Sequence, residues 1–291
     1  MLKSEWGAKF SDEVIRRHTP RENSSLYECG DCGLQFFLPS EEGDEDFYRE
    51  LGESARYYSP WKWEFGWAKE RIPPSAAVLD VGCGKGDFLL FLSGQDRRVV
   101  GLERNPSARE DAVARGLSVS GASIEEFSKE NREMFDAVCA FHVVEHLPAP
   151  VPFLRELLAC LRPGGTLFLS MPNRHRSGKA LLEPLDCPPH HMTRWGPDPL
   201  RRLGDLLGVP LREIAFEPVE INAPWGDLRD WIQTSSEKMP AGEFLGAWCI
   251  RIVPRLVFFP PFVTLYRRFR VLERRGYYGL SMVARFARHG S

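Results

Sequence analysis

A chain of 291 residues, 43% hydrophobic and 27% charged, is globular in composition and long enough for one sizeable core plus an accessory region. Its formal net charge of -2 provides no global attraction for nucleic acid or an anionic membrane, which argues against a nucleic-acid-binding class. Seven cysteines, odd in number and scattered, favour reduced thiols in the cytoplasm over a secreted disulfide framework.

The chain starts with MLKSEWGAKFSDEV, too polar and interrupted for a cleavable signal segment. Next, SLYECGDCGLQFFL places Cys29 and Cys32 in a C-x-x-C turn ahead of a strand-like apolar run. Tetrahedral zinc takes four nitrogen or sulfur ligands, and His18 is the only nearby third. A turn and hairpin without a metal is therefore expected. The acidic residues Glu41, Glu42, Asp44, Glu45 and Asp46 read as a solvated loop. The aromatic-rich stretch from Phe47 to Trp67 reads as one or two helices packed as a lid on the core. Pro73 and Pro74 end it, separating an N-terminal extension, 1–75, from a main domain, 76–291.

From residue 76 strands and helices alternate. Strands are predicted near 77–81, 98–103, 117–120, 135–140 and 164–170, and helices near 85–94, 106–115 and 150–160. This is an α/β pattern in which right-handed crossovers put a ligand crevice at the C-terminal ends of parallel strands. The first strand runs into VLDVGCGKGD, where Gly82, Gly84 and Gly86 follow Asp80. Glycines there permit unusual backbone angles and let a ligand approach the main chain. Their G-x-G-x-G spacing is neither the G-x-G-x-x-G dinucleotide fingerprint nor a G-x-x-x-x-G-K-[ST] phosphate loop. Roughly 20 residues on, where the nucleotide-fold rule expects an acid to hold ribose hydroxyls, stands Glu103 in VVGLER, followed by Arg104.

That glycine spacing and acid, with FDAVCAFHVVEHL at 135–147 and LRPGGTLFLSMPN at 161–173, resemble the class I, Rossmann-like S-adenosylmethionine-dependent methyltransferases. The resemblance covers about 76–173 closely. It implies a seven-stranded, mostly parallel sheet of order 3-2-1-4-5-7-6 with strand 7 antiparallel, helices on both faces, and S-adenosyl-L-methionine as cofactor. The cofactor-binding residues it implies are Asp80, Gly82, Cys83, Gly84, Gly86, Glu103, Arg104, Ser123, Ile124, Phe141 and His142. Asp80 is expected to fix the glycine loop through backbone N–H groups, Ser123 and Ile124 to meet the adenine, and Tyr57 or Tyr58 to cover the methionine end. An ordinary helix cap at Ser123 is the alternative, compatible with that role. The C-x-x-C turn resembles half of the zinc ribbon that precedes some of these enzymes. PPHHMTRW at 188–195 resembles a segment of one branch acting on quinones, sugars and natural products.

Methyl transfer to a hydroxyl is helped by a base, and histidine titrates in the useful range. His190, His191 and His146 are the candidates for catalysis. His142 and His146, spaced by four, would share a helical face, and His190 and His191 would form the opposite wall. H-V-V-E-H is not the H-E-x-x-H of a zinc protease, and no metal is expected. Arg194 would bind an acidic acceptor, pair with Glu145, or anchor the long connection. Residues 198–208 read as a helix. An edge hairpin is predicted from 211–218 and 279–286, with 224–275 inserted as a helical substrate roof. Its apolar run is broken by Arg251, Pro254, Arg255, Pro260 and Pro261, so no span is expected, though weak membrane-surface contact through 244–275 is an open reading. The expected acceptor is a small molecule: lipid-like, sugar, quinone or natural product, with no nucleic-acid partner. The rivals are a nicotinamide-dependent oxidoreductase and a non-catalytic binding module.

Overall fold

The computed structural model describes residues 10–18, 24–53, 58–94, 97–176, 184–218 and 280–290. Tyr57 and the 224–275 insertion, with its roof and membrane-surface readings, lie outside them. Two compact units are present: Met1–Arg174 with Leu182–Ala215 and Met282–Ser291, and His175–Leu181 with Phe216–Ser281. In the second, the described residues join Glu217 to Ser281, whose N–H donates to the Glu217 carboxylate at 3.1 Å.

Near the N-terminus, helix α1 (Asp12–His18) and the hairpin β1 (Ser25–Glu28) and β2 (Gln35–Leu38) precede helix α2 (Glu45–Glu53). The acidic run is more than a solvated loop. Asp44 Oδ1 accepts from the Phe47 N–H at 2.9 Å, capping α2, while Arg17 ties Asp44 and Asp46 at 2.6 and 2.8 Å. Phe10, Val14, Phe47 and Leu51 close a small core beneath.

The main sheet contains β3 (Val78–Val81), β4 (Val99–Leu102), β5 (Val119–Ser120), β6 (Phe135–Phe141), β7 (Leu161–Pro172), β9 (Leu211–Phe216) and β10 (Ser281–Ala287). Its order is β5-β4-β3-β6-β7-β10-β9, the predicted 3-2-1-4-5-7-6. Neighbours from β5 to β7 pair parallel. Arg288 N–H donates to the Gly165 carbonyl and Gly164 N–H to that of His289, so β10 runs antiparallel to β7. All four residues of β3 are buried, the pattern of a central parallel strand covered on both faces. The Pro-Gly-Gly segment is part of β7: pairing passes from Phe135↔Leu161 to Ala137↔Thr166, a bulge, with Gly164 at φ 78°.

Helices α3 (Trp63–Lys69), α4 (Asp87–Leu92), α5 (Pro106–Ala114), α6 (Ile124–Glu130), α7 (Pro150–Cys160) and α8 (Pro197–Leu207) complete the fold. Proline opens α5, α7 and α8, where its missing N–H costs nothing. Phe65 of α3 and Phe88 of α4 meet Phe141 of β6 edge-on at centroid distances of 5.3 and 4.9 Å. Each such buried ring contributes about 1.5–3 kcal/mol. The short strand β8 (Thr193–Arg194) pairs with β2, so the PPHHMTRW segment is stitched to the N-terminal hairpin.

Candidate active site

The site lies at the C-terminal ends of β3, β4 and β6. Gly82, Gly84 and Gly86 have φ of 74°, 55° and 78°, a left-handed region L side chains rarely adopt. At Gly84 a Cβ would stand 2.9 Å from the ring of Tyr58, which therefore lies against the glycine loop. The Gly84 N–H donates to Glu103 Oε2 at 2.8 Å, and the Asn105 N–H to Glu103 Oε1 at 2.7 Å. Burial raises the Glu103 carboxyl, against these backbone donors. Glu103, not Asp80, thus holds the glycine loop by its N–H.

Asp80 does not make the expected backbone contacts, which leaves its other expected role, toward the donor's charged amine. It is 3% exposed, its Oδ1 is buried with no hydrogen-bond partner among the described residues, and burial raises its pKa to about 8 against the opposing charge of Lys62. The loop amides of Gly82 and Cys83 donate instead to the Leu102 carbonyl, at 2.8 and 3.1 Å. A buried carboxylate left this way is costly on its own and is suited to a cationic ligand group.

Cys83 is nearly buried, and burial raises its thiol well above the ordinary range, which removes a thiolate role. Arg104 is exposed beside Glu103. Ser123 caps α6 in a reciprocal box with Glu126, and Ile124 is buried. The Phe141 ring belongs to the core cluster. Arg194 donates to Gln35 Oε1 at 2.9 Å, anchoring the connection.

The HVVEH stretch is not one helical face. His142 sits at φ 56°, an uncommon conformation for a non-glycine residue, and a single 3-10 turn, Val144–His146, follows. The two histidines therefore diverge. His142 Nε2 lies 2.9 Å from Glu64 Oε1 and its Nδ1 3.4 Å from Glu145 Oε1. Burial and Lys62 lower the His142 pKa, but the two carboxylates outweigh them and raise it. Glu64 is held below its ordinary value by His142 against burial, and so is Glu145. Sequence reasoning missed Glu64; its one signal was a lone acid in the apolar helix WEFGWAK.

His146 turns the other way and joins His190 and His191, at ring-centroid distances of 4.5 and 4.9 Å. His190 and His191 stack at 4.3 Å. The three are one cluster, not opposite walls, because the Met192 N–H donates to the Glu145 carbonyl at 2.8 Å and ties the PPHH segment to the 3-10 turn. Burial pushes His146 down to about 4, against the pull of Glu145. Farther out, His18 lies 3.0 Å from Asp44 and packs on Phe47, and it forms no ligand group with Cys29 and Cys32.

Residues 54–211, more than half of the chain, match a family described as "Methyltransferase domain". A ubiquinone biosynthesis O-methyltransferase of Xanthomonas campestris is 35% identical over 114 residues, 37% of this chain and 48% of that protein. One of Vibrio vulnificus is 35% identical over 104 residues, 34% of this chain and 44% of its own. The chain thus spans about half the length of these curated relatives. A SAM-dependent methyltransferase from Archaeoglobus fulgidus superposes with a TM-score of 0.51 at 18% identity, covering 84% of this chain and all of that one. The cyclase SpnF does so at 0.50 and 16%, covering 87% of each, so the fold by itself does not name the chemistry. The buried Asp80 carboxylate, the glycine loop and the Glu103 oxygens, which keep acceptor capacity for hydroxyls, are donors and acceptors that fit the amine and ribose of S-adenosylmethionine. The chain belongs to the methyltransferase domain family and has the seven-stranded class I fold, with a crevice whose groups fit S-adenosylmethionine.

Proposed function

We propose that the enzyme methylates a hydroxyl oxygen of a small organic acceptor, of which a quinone-type phenol is the first to try. The supporting observation is the cluster of His146, His190 and His191, linked through the 3-10 turn to the end of β6 beside the glycine loop. The curated relatives are named for O-methylation in ubiquinone biosynthesis, which agrees in acceptor atom.

When bound, the cofactor supplies a methyl group already activated by its positive sulfur, so the protein must chiefly bind, align and exclude water. Asp80 would take the amine, Glu103 the ribose hydroxyls, and Tyr58 would close over the loop. His142, gripped by Glu64 and Glu145, would act as a fixed donor or cation and not as a base. Proton removal from the acceptor is assigned to the three-histidine cluster as a unit, His190 and His191 ahead of His146.

The test incubates the full chain with isotopically methyl-labelled S-adenosylmethionine and a panel of phenols, sugars, amines and carbon acids, with products identified by mass and NMR. Labelled methoxy product, with kcat falling at least tenfold in His190→Ala or His191→Ala while donor affinity stays within about threefold, is expected. Label on nitrogen or carbon alone, or hydride transfer with a nicotinamide cofactor, overturns the reading. Binding of S-adenosylhomocysteine without turnover on any acceptor would point to a binding module.

A further inference from the structure

The imidazole cluster has an order that packing does not require. One ring nitrogen from each of His146, His190 and His191 lies within 4.8 Å of the other two, and no other such group of histidine, cysteine or acidic residues occurs among the described residues. His190 and His191 are 5% and 8% exposed. Stacking of aromatic rings contributes about 0.5–1.5 kcal/mol per pair, comparable to or less than the cost of burying a polar group, so ring contact alone is a weak reason to gather three imidazoles.

Their orientation is set from outside. His146 Nδ1 is 2.7 Å from the His190 carbonyl oxygen, and His190 Nδ1 is 2.8 Å from that of Leu185. A carbonyl only accepts, so both Nδ1 atoms carry the proton and both Nε2 atoms the lone pair. His191 Nδ1 faces Asp186 Oδ1 at 3.6 Å, a looser version of the same relation. Metal-binding histidines are braced in this way, one ring nitrogen donating to a carbonyl or carboxylate and the other keeping its lone pair for a ligand bond.

We propose that His146, His190 and His191 form a binding site for one divalent transition-metal ion of the zinc class, with a fourth position open to an acceptor oxygen. Imidazole suits zinc, copper, iron and nickel, and three histidines with an open fourth position is a catalytic zinc arrangement. At Zn–N distances near 2.0–2.1 Å, tetrahedral ligand nitrogens stand about 3.4 Å apart, so nitrogens within 4.8 Å need close by at most about 1.4 Å. His142 is not a ligand, being committed to Glu64 and Glu145. The role of the open position rests on the hydroxyl-acceptor reading above; metal binding does not. An ion there would lower the pKa of a bound hydroxyl and, by occupying the imidazole lone pairs, would replace direct proton removal by the histidines, so a loaded site revises the base assignment above and leaves the hydroxyl acceptor in place.

The experiment uses full-length protein without a polyhistidine tag, stripped by chelator, then titrated with Zn²⁺ against a chromophoric chelator and with Co²⁺ by visible absorption. One equivalent of zinc with Kd below about 1 μM is expected, with cobalt bands of four-coordinate intensity. His190→Ala and His191→Ala should each weaken binding at least about 100-fold, and Asp186→Asn, which leaves the ligands in place, about tenfold. A Cys29→Ser, Cys32→Ser double variant should keep the full equivalent. Near-ultraviolet circular dichroism checks that each variant is folded. No zinc bound at 10 μM free ion (about tenfold above the expected Kd), binding unchanged in folded histidine variants, or binding lost only with the cysteines would each overturn the site. Zinc bound as expected but no hydroxyl methylated supports the site and overturns the acceptor reading, so the two failures are distinguishable.

Discussion

In the proposed site, Asp80 is the residue whose ionisation would connect stability to cofactor binding. Its folded pKa, about 8, lies above the ordinary 3.8. Between those values the unfolded chain gives up the proton and the folded one keeps it, so stability falls as pH rises from about 4 to about 8. It levels off above that window, with a slope of at most about 1.4 kcal/mol per pH unit. Asp80→Asn should flatten that part of the curve in urea titrations. A cationic amine favours the ionised carboxylate, so binding S-adenosylhomocysteine near pH 7 should release up to one proton. Calorimetry in buffers of different ionisation enthalpy measures it, and equal release by Asp80→Asn would remove Asp80 from the amine site. Gly84 is tested sterically. Gly84→Val puts a branched side chain at φ 55° and into the Tyr58 ring, so donor affinity should fall at least 100-fold (about 2.7 kcal/mol), while far-ultraviolet circular dichroism stays close to wild type. Normal affinity would show that the donor does not meet this loop.

At the scale of elements, the readable features were those whose signals are local. The boundaries of α5, α7 and α8 follow their prolines, and α6 follows its Ser123–Glu126 box. Ser123→Ala removes the side-chain acceptor of the Glu126 N–H at 3.2 Å and should cost about 1 kcal/mol, a drop of about 2–4 °C in Tm. Calorimetric scanning reads this, and a parallel titration with S-adenosylhomocysteine shows whether the cap also serves the adenine. Elements with conflicting signals were less legible. The HVVEH spacing suits a helix, yet His142 takes a left-handed φ and only one 3-10 turn follows, because Met192 and the Glu64 carboxylate hold that segment from other parts of the chain. LRPGGTLFLSMP contains turn residues, yet pairing with β6 continues through it as a bulge.

Over the molecule as a whole, the strand–helix alternation determined an α/β sheet with its crevice at the strand ends, while the sheet order and the cofactor class came from the resemblance carried by the glycine spacing, the acid at the end of β4 and the segments 135–147 and 161–173. These are legible because each is a short-range pattern imposed by backbone geometry or by burial on two faces of a sheet. The sequence could not show that β8 joins the N-terminal hairpin, that Glu64 clamps His142, or that Glu103 replaces Asp80 on the glycine-loop amide. Nor could it show that His146 leaves His142 to meet His190 and His191, across 44 residues of chain. Partners that far apart are selected by the packing of whole elements, and a few ångströms of displacement decide whether an imidazole meets a carboxylate, a carbonyl or another imidazole. Local patterns, and the family they resemble, therefore determined which fold and which cofactor to expect; tertiary packing alone decided which side chains face one another at the site.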